Sequence, residues 1–212
     1  MSRLPPPKIE PGKRAVVAGR TGSGKSTLAE WLLIQSPGHW LIINPKATAA
    51  YDKLPDSKKI EGIDLPKITK SMQENRFTIV NPTRQQNNFE TLDALIVWLH
   101  DGWLNVGLCV DELYAIHQNG RPGEGLIAWL TRGRELKQSF LGLTQRPAWV
   151  SKFLMSEADY IGVMALNLKE DRKRMYEITG QELFEISPEP FYWHWYNVSK
   201  DSVRSFGPVP YK

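Results

Sequence analysis

The sequence predicts an α/β fold, with a mostly parallel central sheet, helices on both faces and an antiparallel hairpin at the C-terminal end. Three observations predict it. Short, fully apolar runs alternate with longer amphipathic ones, the pattern of buried parallel strands joined by helices. A glycine-rich turn links the first apolar run to the first helical pattern. Near the end, two runs of strand-forming residues flank a four-residue polar turn.

Taken in order, residues 1–13 form a flexible, proline-rich arm, because Pro5-Pro6-Pro7 can enter neither sheet nor helix. The main domain is expected over residues 14–180. Arg14–Ala18 is a strand and Lys25–Gln35 a helix. Trp40–Ile43 is a second strand, stopped by Asn44-Pro45, and Phe77–Val80 a third, stopped by Asn81-Pro82. Between them, Ala47 to Gln73 is polar and aperiodic and reads as an insertion. Phe89–His100 is a helix with Leu92, Leu95, Ile96 and Leu99 on one face. Val106–Val110 is a strand, Gly125–Leu136 a helix, Ser139–Thr144 and Tyr160–Leu166 strands, and Lys169–Thr179 a charged helix. Residues 181–212 form the hairpin extension, with strands Phe191–Asn197 and Ser202–Phe206. There Phe191, Trp193 and Trp195 would share one packing face.

The turn after the first strand reads Gly19-Arg20-Thr21-Gly22-Ser23-Gly24-Lys25-Ser26-Thr27. Strand, glycine-rich turn ending in Gly-Lys-Ser and helix is the context of a phosphate-binding P-loop. The glycines let successive N–H groups point inward, and the helix N-terminus adds its positive dipole end. Lys25 would reach the β- and γ-phosphates, the Ser26 hydroxyl would hold Mg²⁺, and Thr27 would touch the α-phosphate. All nine residues are therefore nucleotide contacts, with ATP and Mg²⁺ the expected cofactors.

Hydrolysis needs a carboxylate beside the metal and a base for water. The apolar run Val106–Val110 ends in Asp111-Glu112. Asp111 would orient the metal's water shell, and Glu112 would polarise the attacking water. The base also argues against a small-molecule kinase, which needs none aimed at water. Gln145, in Leu143-Thr144-Gln145-Arg146-Pro147, ends the fifth strand and suits a γ-phosphate sensor. In Thr131-Arg132-Gly133-Arg134, Arg134 is the first choice for an arginine finger, Arg132 the second and Arg146 the third. A finger acting in trans would require an oligomer.

Composition sets broad limits. Net charge is +4, a mild lean toward polyanions. Cys109 is the single cysteine, so no disulfide can form within the chain, which suits a reducing compartment. No apolar stretch has the length of a membrane span, and the proline-rich start lacks the apolar core of a secretion signal.

The order P-loop, Cys109-Val110-Asp111-Glu112, Gly133-Arg134, Thr144-Gln145-Arg146-Pro147, Ala158-Asp159 resembles the FtsK–HerA superfamily of ring ATPases. Within it, the short chain is most similar to the genome-packaging ATPases of icosahedral viruses with an internal membrane. The resemblance implies a RecA/FtsK-like P-loop NTPase fold over about Arg14 to Lys173. It implies ATP-driven translocation of double-stranded DNA, without sequence preference, into a preformed capsid. It further implies a homo-oligomeric ring, hexameric by preference, in the host cytoplasm. The ring would sit at the virion vertex with capsid or membrane-associated packaging proteins. The alternatives are a plasmid-transfer motor of the same superfamily, a filamentous-phage assembly ATPase, a small-molecule P-loop kinase and a nucleotide-binding scaffold.

Overall fold

A computed structural model describes residues 7–118 and 120–210. In chain order the strands are β1 (Arg14–Ala18), β2 (His39–Ile43), β3 (Ser57–Glu61), β4 (Phe77–Asn81), β5 (Val106–Val110) and β6 (His117–Gln118). They continue as β7 (Arg121–Pro122), β8 (Ser139–Thr144), β9 (Tyr160–Val163), β10 (Trp193–Asn197) and β11 (Ser202–Phe206). The helices are α1 (Lys25–Gln35), α2 (Leu65–Glu74), α3 (Phe89–Gly102), α4 (Glu124–Arg132), α5 (Lys152–Ser156) and α6 (Lys169–Thr179).

Nine strands form one sheet in the order β11-β10-β9-β1-β8-β5-β2-β4-β3. The seven strands from β9 to β3 run parallel, while β10 pairs antiparallel with β9 and with β11. Alternation along each strand divides the core. Val16 and Ala18 face a layer containing Leu92, Leu95, Leu126, Trp129, Leu154 and Met175 from α3 to α6. Ala15 and Val17 face the other way, onto Leu28, Leu32 and Leu33 of α1, with Tyr51, Trp193 and Trp195. Burial on both faces explains why the central strands read as unbroken apolar runs.

The expected insertion at Ala47 to Gln73 is corrected: it contains β3 and most of α2, a regular parallel βαβ unit with β4. β3 is the sheet edge, so its pattern Ser-Lys-Lys-Ile-Glu leaves only Ile60 buried, and no apolar run announces it. α2 is capped by Asp64, which accepts from Lys67 N–H, and carries a proline in its first turn. The expected strand Tyr160–Leu166 stops at Val163, and the expected helix Gly125–Leu136 stops at Arg132.

The flexible arm expected over residues 1–13 divides. Residues 1–6 lie outside the described residues. Residues 7–13 pack on the domain, with Ile9 fully buried and its N–H donated to Ser36 Oγ at 2.8 Å. Burying an isoleucine stabilises by roughly 1.5–3 kcal/mol, one contribution toward ordering this segment. In the tail, Trp193 and Trp195 do face the core, whereas Phe191 stands before β10 at φ 65° and is excluded from the expected stripe. Among the described residues, no helix is long and apolar enough to cross a membrane.

Candidate nucleotide site

β1 carries the chain to the C-terminal edge of the sheet, where Gly19 to Gly24 turn into α1. Gly22 and Gly24 have φ 76° and 94°, a region L-residues avoid. At Gly19 a side chain would strike Ser23 Oγ at 2.7 Å and Met164 Cβ at 2.9 Å. The loop is braced from both flanking strands: Gly19 N–H donates to Thr144 O, and Arg20 N–H to Ala165 O.

No side chain caps α1, and its first turn holds no acidic residue. The orphan N–H groups and the positive dipole end thus have no anionic partner within the helix, a site suited to phosphate. Lys25 lies across this loop, donating from Nζ to Arg20 O at 3.0 Å. Burial is the main cause that lowers its pKa to about 8, with Lys46 adding to the fall and Glu112 and Asp111 opposing it. A bound polyphosphate would restore the proton, since nearby negative charge favours the ammonium. ATP binding above pH 8 is therefore expected to take up close to one proton, and affinity to fall as pH rises further. Calorimetry in buffers of different ionisation enthalpy measures this directly; no proton uptake at pH 9 would mean that Lys25 is already charged in the nucleotide-free protein.

Asp111 directly follows β5, two strands from β1, with β8 between them. Its carboxylate accepts from Ser26 Oγ at 3.1 Å and from Tyr51 Oη at 2.7 Å. Burial raises its pKa, and these two hydrogen bonds pull it back. A buried carboxylate with its charge incompletely balanced, beside a serine hydroxyl, fits a divalent cation. Among the described residues there is no cluster of three or more His, Cys, Asp or Glu. Such a cation would thus depend on Ser26, phosphate oxygens and water, the usual habit of Mg²⁺. Glu112, mostly buried, pairs with Lys46 Nζ at 3.0 Å. Gln145 directly follows β8 between the two halves of the site, and its Oε1 accepts from Thr21 Oγ1 at 2.7 Å. Lys25, Ser26, Asp111, Glu112 and Gln145 are therefore brought together at one sheet edge.

The arginines are distributed differently. Arg134 follows α4 and pairs with Asp159 at 3.3 Å, at the edge where β1 and β9 begin. Arg132, exposed at the end of α4, lies on the same side. A five-residue strand spans about 17 Å, so neither can reach this chain's own P-loop. Arg146 does stand at the P-loop edge, but its guanidinium is bonded to Glu170 and Asp171 and stacks 4.1 Å over Trp149.

Two residues of the site escaped the sequence reading. Lys46 follows the Asn44-Pro45 stop of β2 and meets Glu112 because β2 pairs with β5, a neighbour relation the sequence does not show. Tyr51 lies in the supposed insertion, in a single helical turn over Ala49–Tyr51, where no local pattern marks it.

No protein-family model matches the chain. It is 28% identical over 210 residues to the DNA packaging ATPase P9 of Enterobacteria phage PRD1, covering 93% of this chain and 88% of the relative. Its fold matches the DNA-packaging ATPase B204 of Sulfolobus turreted icosahedral virus with a TM-score of 0.73 at 19% identity, over 94% and 99% of the two chains. B204 of Sulfolobus turreted icosahedral virus 2, in complex with ATP-gammaS, gives 0.76 at 18% over the same shares. VirB4 of Thermoanaerobacter pseudethanolicus gives 0.67 at 10%, over 93% and 90%. The chain is thus similar in sequence to the phage packaging ATPase P9 and has the fold of the B204 packaging ATPases.

Proposed function

We propose that this chain is a genome-packaging ATPase that hydrolyses ATP to drive double-stranded DNA into a viral capsid. The observation that carries the reading is the meeting of the P-loop and the Asp111-Glu112 edge, seen in the Ser26–Asp111 hydrogen bond, in a chain that aligns with 88% of a DNA packaging ATPase. The ATP-gammaS complex of a structurally similar protein supports the choice of nucleotide.

In this reading the loop amides, Lys25 and the end of α1 hold the triphosphate, with Thr27 at the α-phosphate. Ser26 would hold Mg²⁺ directly and Asp111 through water, with Tyr51 fixing the Asp111 carboxylate. The cation would neutralise phosphate charge. Glu112 takes a proton from the attacking water, held in position by Lys46. Gln145, tied to Thr21, senses the terminal phosphate. Arg134, unable to serve its own site, is exposed to serve a neighbour's, which makes the active unit a homo-oligomeric ring, for which a hexamer is the preferred size. The ring would work in the host cell at the capsid vertex, anchored by capsid or membrane-associated proteins.

ATP turnover is expected to rise severalfold with double-stranded DNA of any sequence and to lose that gain as salt increases, because phosphate contacts dominate such binding. Steady-state hydrolysis with and without DNA measures it. A phosphorylated small molecule as product, with no response to DNA, would replace this reading with a kinase. Mixing Arg134→Ala with Lys25→Ala subunits should restore part of the activity, since each supplies what the other lacks; absence of rescue at every ratio would remove the trans finger.

A further inference from the structure

The nucleoside end of the site has its own feature, built by the C-terminal extension. Phe191 occupies a left-handed backbone position at φ 65°, rare for an aromatic residue. The strict alternation with Trp193 and Trp195 would have carried it into β10. Instead the turn before β10, closed by Tyr192 N–H donating to Glu189 O at 3.0 Å, brings its ring back to the phosphate loop. A Cβ placed on Gly24 would meet Phe191 Cδ1 at 3.3 Å and Met164 Cε at 3.5 Å. The residue is nevertheless 53% exposed, so it is not simply core.

That exposed part faces a cavity of about 300 Å³ lined by Gly24, Thr27, Met164, Phe191, Pro208 and Val209. Its walls are apolar, and the Thr27 hydroxyl is their one side-chain hydrogen-bonding group. The segment carrying Pro208 and Val209 is held by Trp193 Nε1 donating to Gly207 O at 3.1 Å, with Val209 packed against the α1 side of the core. The cavity therefore opens directly from the last residues of the P-loop and the first turn of α1.

We propose that this cavity takes the nucleobase of the bound nucleotide, with Phe191 as the stacking shelf and Pro208-Val209 as the facing wall. The proposal rests on the nucleotide reading above and adds the base subsite to it. Direction argues for this occupant. Lys25 and Ser26 take the β- and γ-phosphates and Thr27 the α-phosphate, so the ribose and base must leave the loop on the Thr27 side, where the cavity lies. A mostly apolar cavity of this size beside an aromatic ring suits a heterocycle. Stacking on an aromatic face tolerates any base, and the lining offers little to tell adenine from guanine.

The test is equilibrium binding of ATP, GTP and inorganic tripolyphosphate to the full chain and to Phe191→Ala, Phe191→Tyr and Lys25→Ala. Phe191→Ala should weaken ATP and GTP by about tenfold or more, the loss expected for one base stack. Tripolyphosphate, which has no base, should bind it as tightly as it binds the parent, and Phe191→Tyr should retain ATP. As a measurement free of variants, 8-azido-ATP should label peptides containing Phe191 or Pro208-Val209. ATP affinity within about twofold of the parent in Phe191→Ala, with Lys25→Ala unable to bind, would remove the base shelf and leave the P-loop reading intact. An equal loss of tripolyphosphate, or label only on other segments, would also overturn it. Undiminished ATP binding by Lys25→Ala would instead remove the nucleotide reading itself.

Discussion

Lys25→Ala is expected to lower ATP affinity by at least about 100-fold and to abolish turnover, from the loss of charge-assisted hydrogen bonds to two phosphates at roughly 1.5–3 kcal/mol each. The amine is almost fully buried and makes one hydrogen bond to protein, to Arg20 O. Removing it leaves that carbonyl to water in an exposed turn, so the fold should persist. Thermal unfolding of the nucleotide-free protein should shift little, which separates loss of binding from loss of structure. The ligand-induced rise in Tm given by ATP should vanish, because that rise depends on binding to the folded state. Near-normal hydrolysis by this variant would remove the phosphate role of Lys25 and with it the proposed motor.

Glu112→Gln is expected to keep ATP bound while lowering kcat by about 10²–10⁴-fold, the range for removing a general base. The replacement preserves shape, and its amide oxygen can still accept from Lys46, whose Nζ lies 3.0 Å from Glu112 Oε2. What it cannot do is take a proton from water. Asp111 is differently placed: its Oδ1 is held by Ser26 and Tyr51, on the metal side of the proposed site. Single-turnover measurements should show a long-lived ATP complex; turnover at the parent rate would mean that another group is the base.

The two variants probe opposite sides of one junction. The P-loop belongs to β1 and the acid pair to β5, 85 residues apart at the Ser26–Asp111 contact. They meet because both strands run the same way and end at the same edge, with Gln145, just past β8, placed between them. Parallel α/β sheets put ligands at that edge for the same reason.

Much of this was determined by the sequence alone. The P-loop is local chemistry: glycines at left-handed φ, a lysine, a hydroxyl and a helix start within nine residues. The parallel sheet followed from apolar runs buried on both faces, and Asp111 and Glu112 from their place at the end of one such run. Tertiary structure decided the rest, because those features have no local signature. The edge strand Ser57–Glu61 is polar since it pairs on one side only. Tyr51 reaches Asp111, and Lys46 reaches Glu112, through strand order rather than through spacing. Phe191 looked like a strand residue in a two-residue alternation; a single backbone reversal before β10 carried its ring to Gly24 instead. Arg134 was marked by its motif, but only the course of β1 and β9 placed it at the edge opposite the P-loop, beside Asp159. Periodicity along a chain reports which face is buried, whereas contact across a sheet depends on which strands become neighbours.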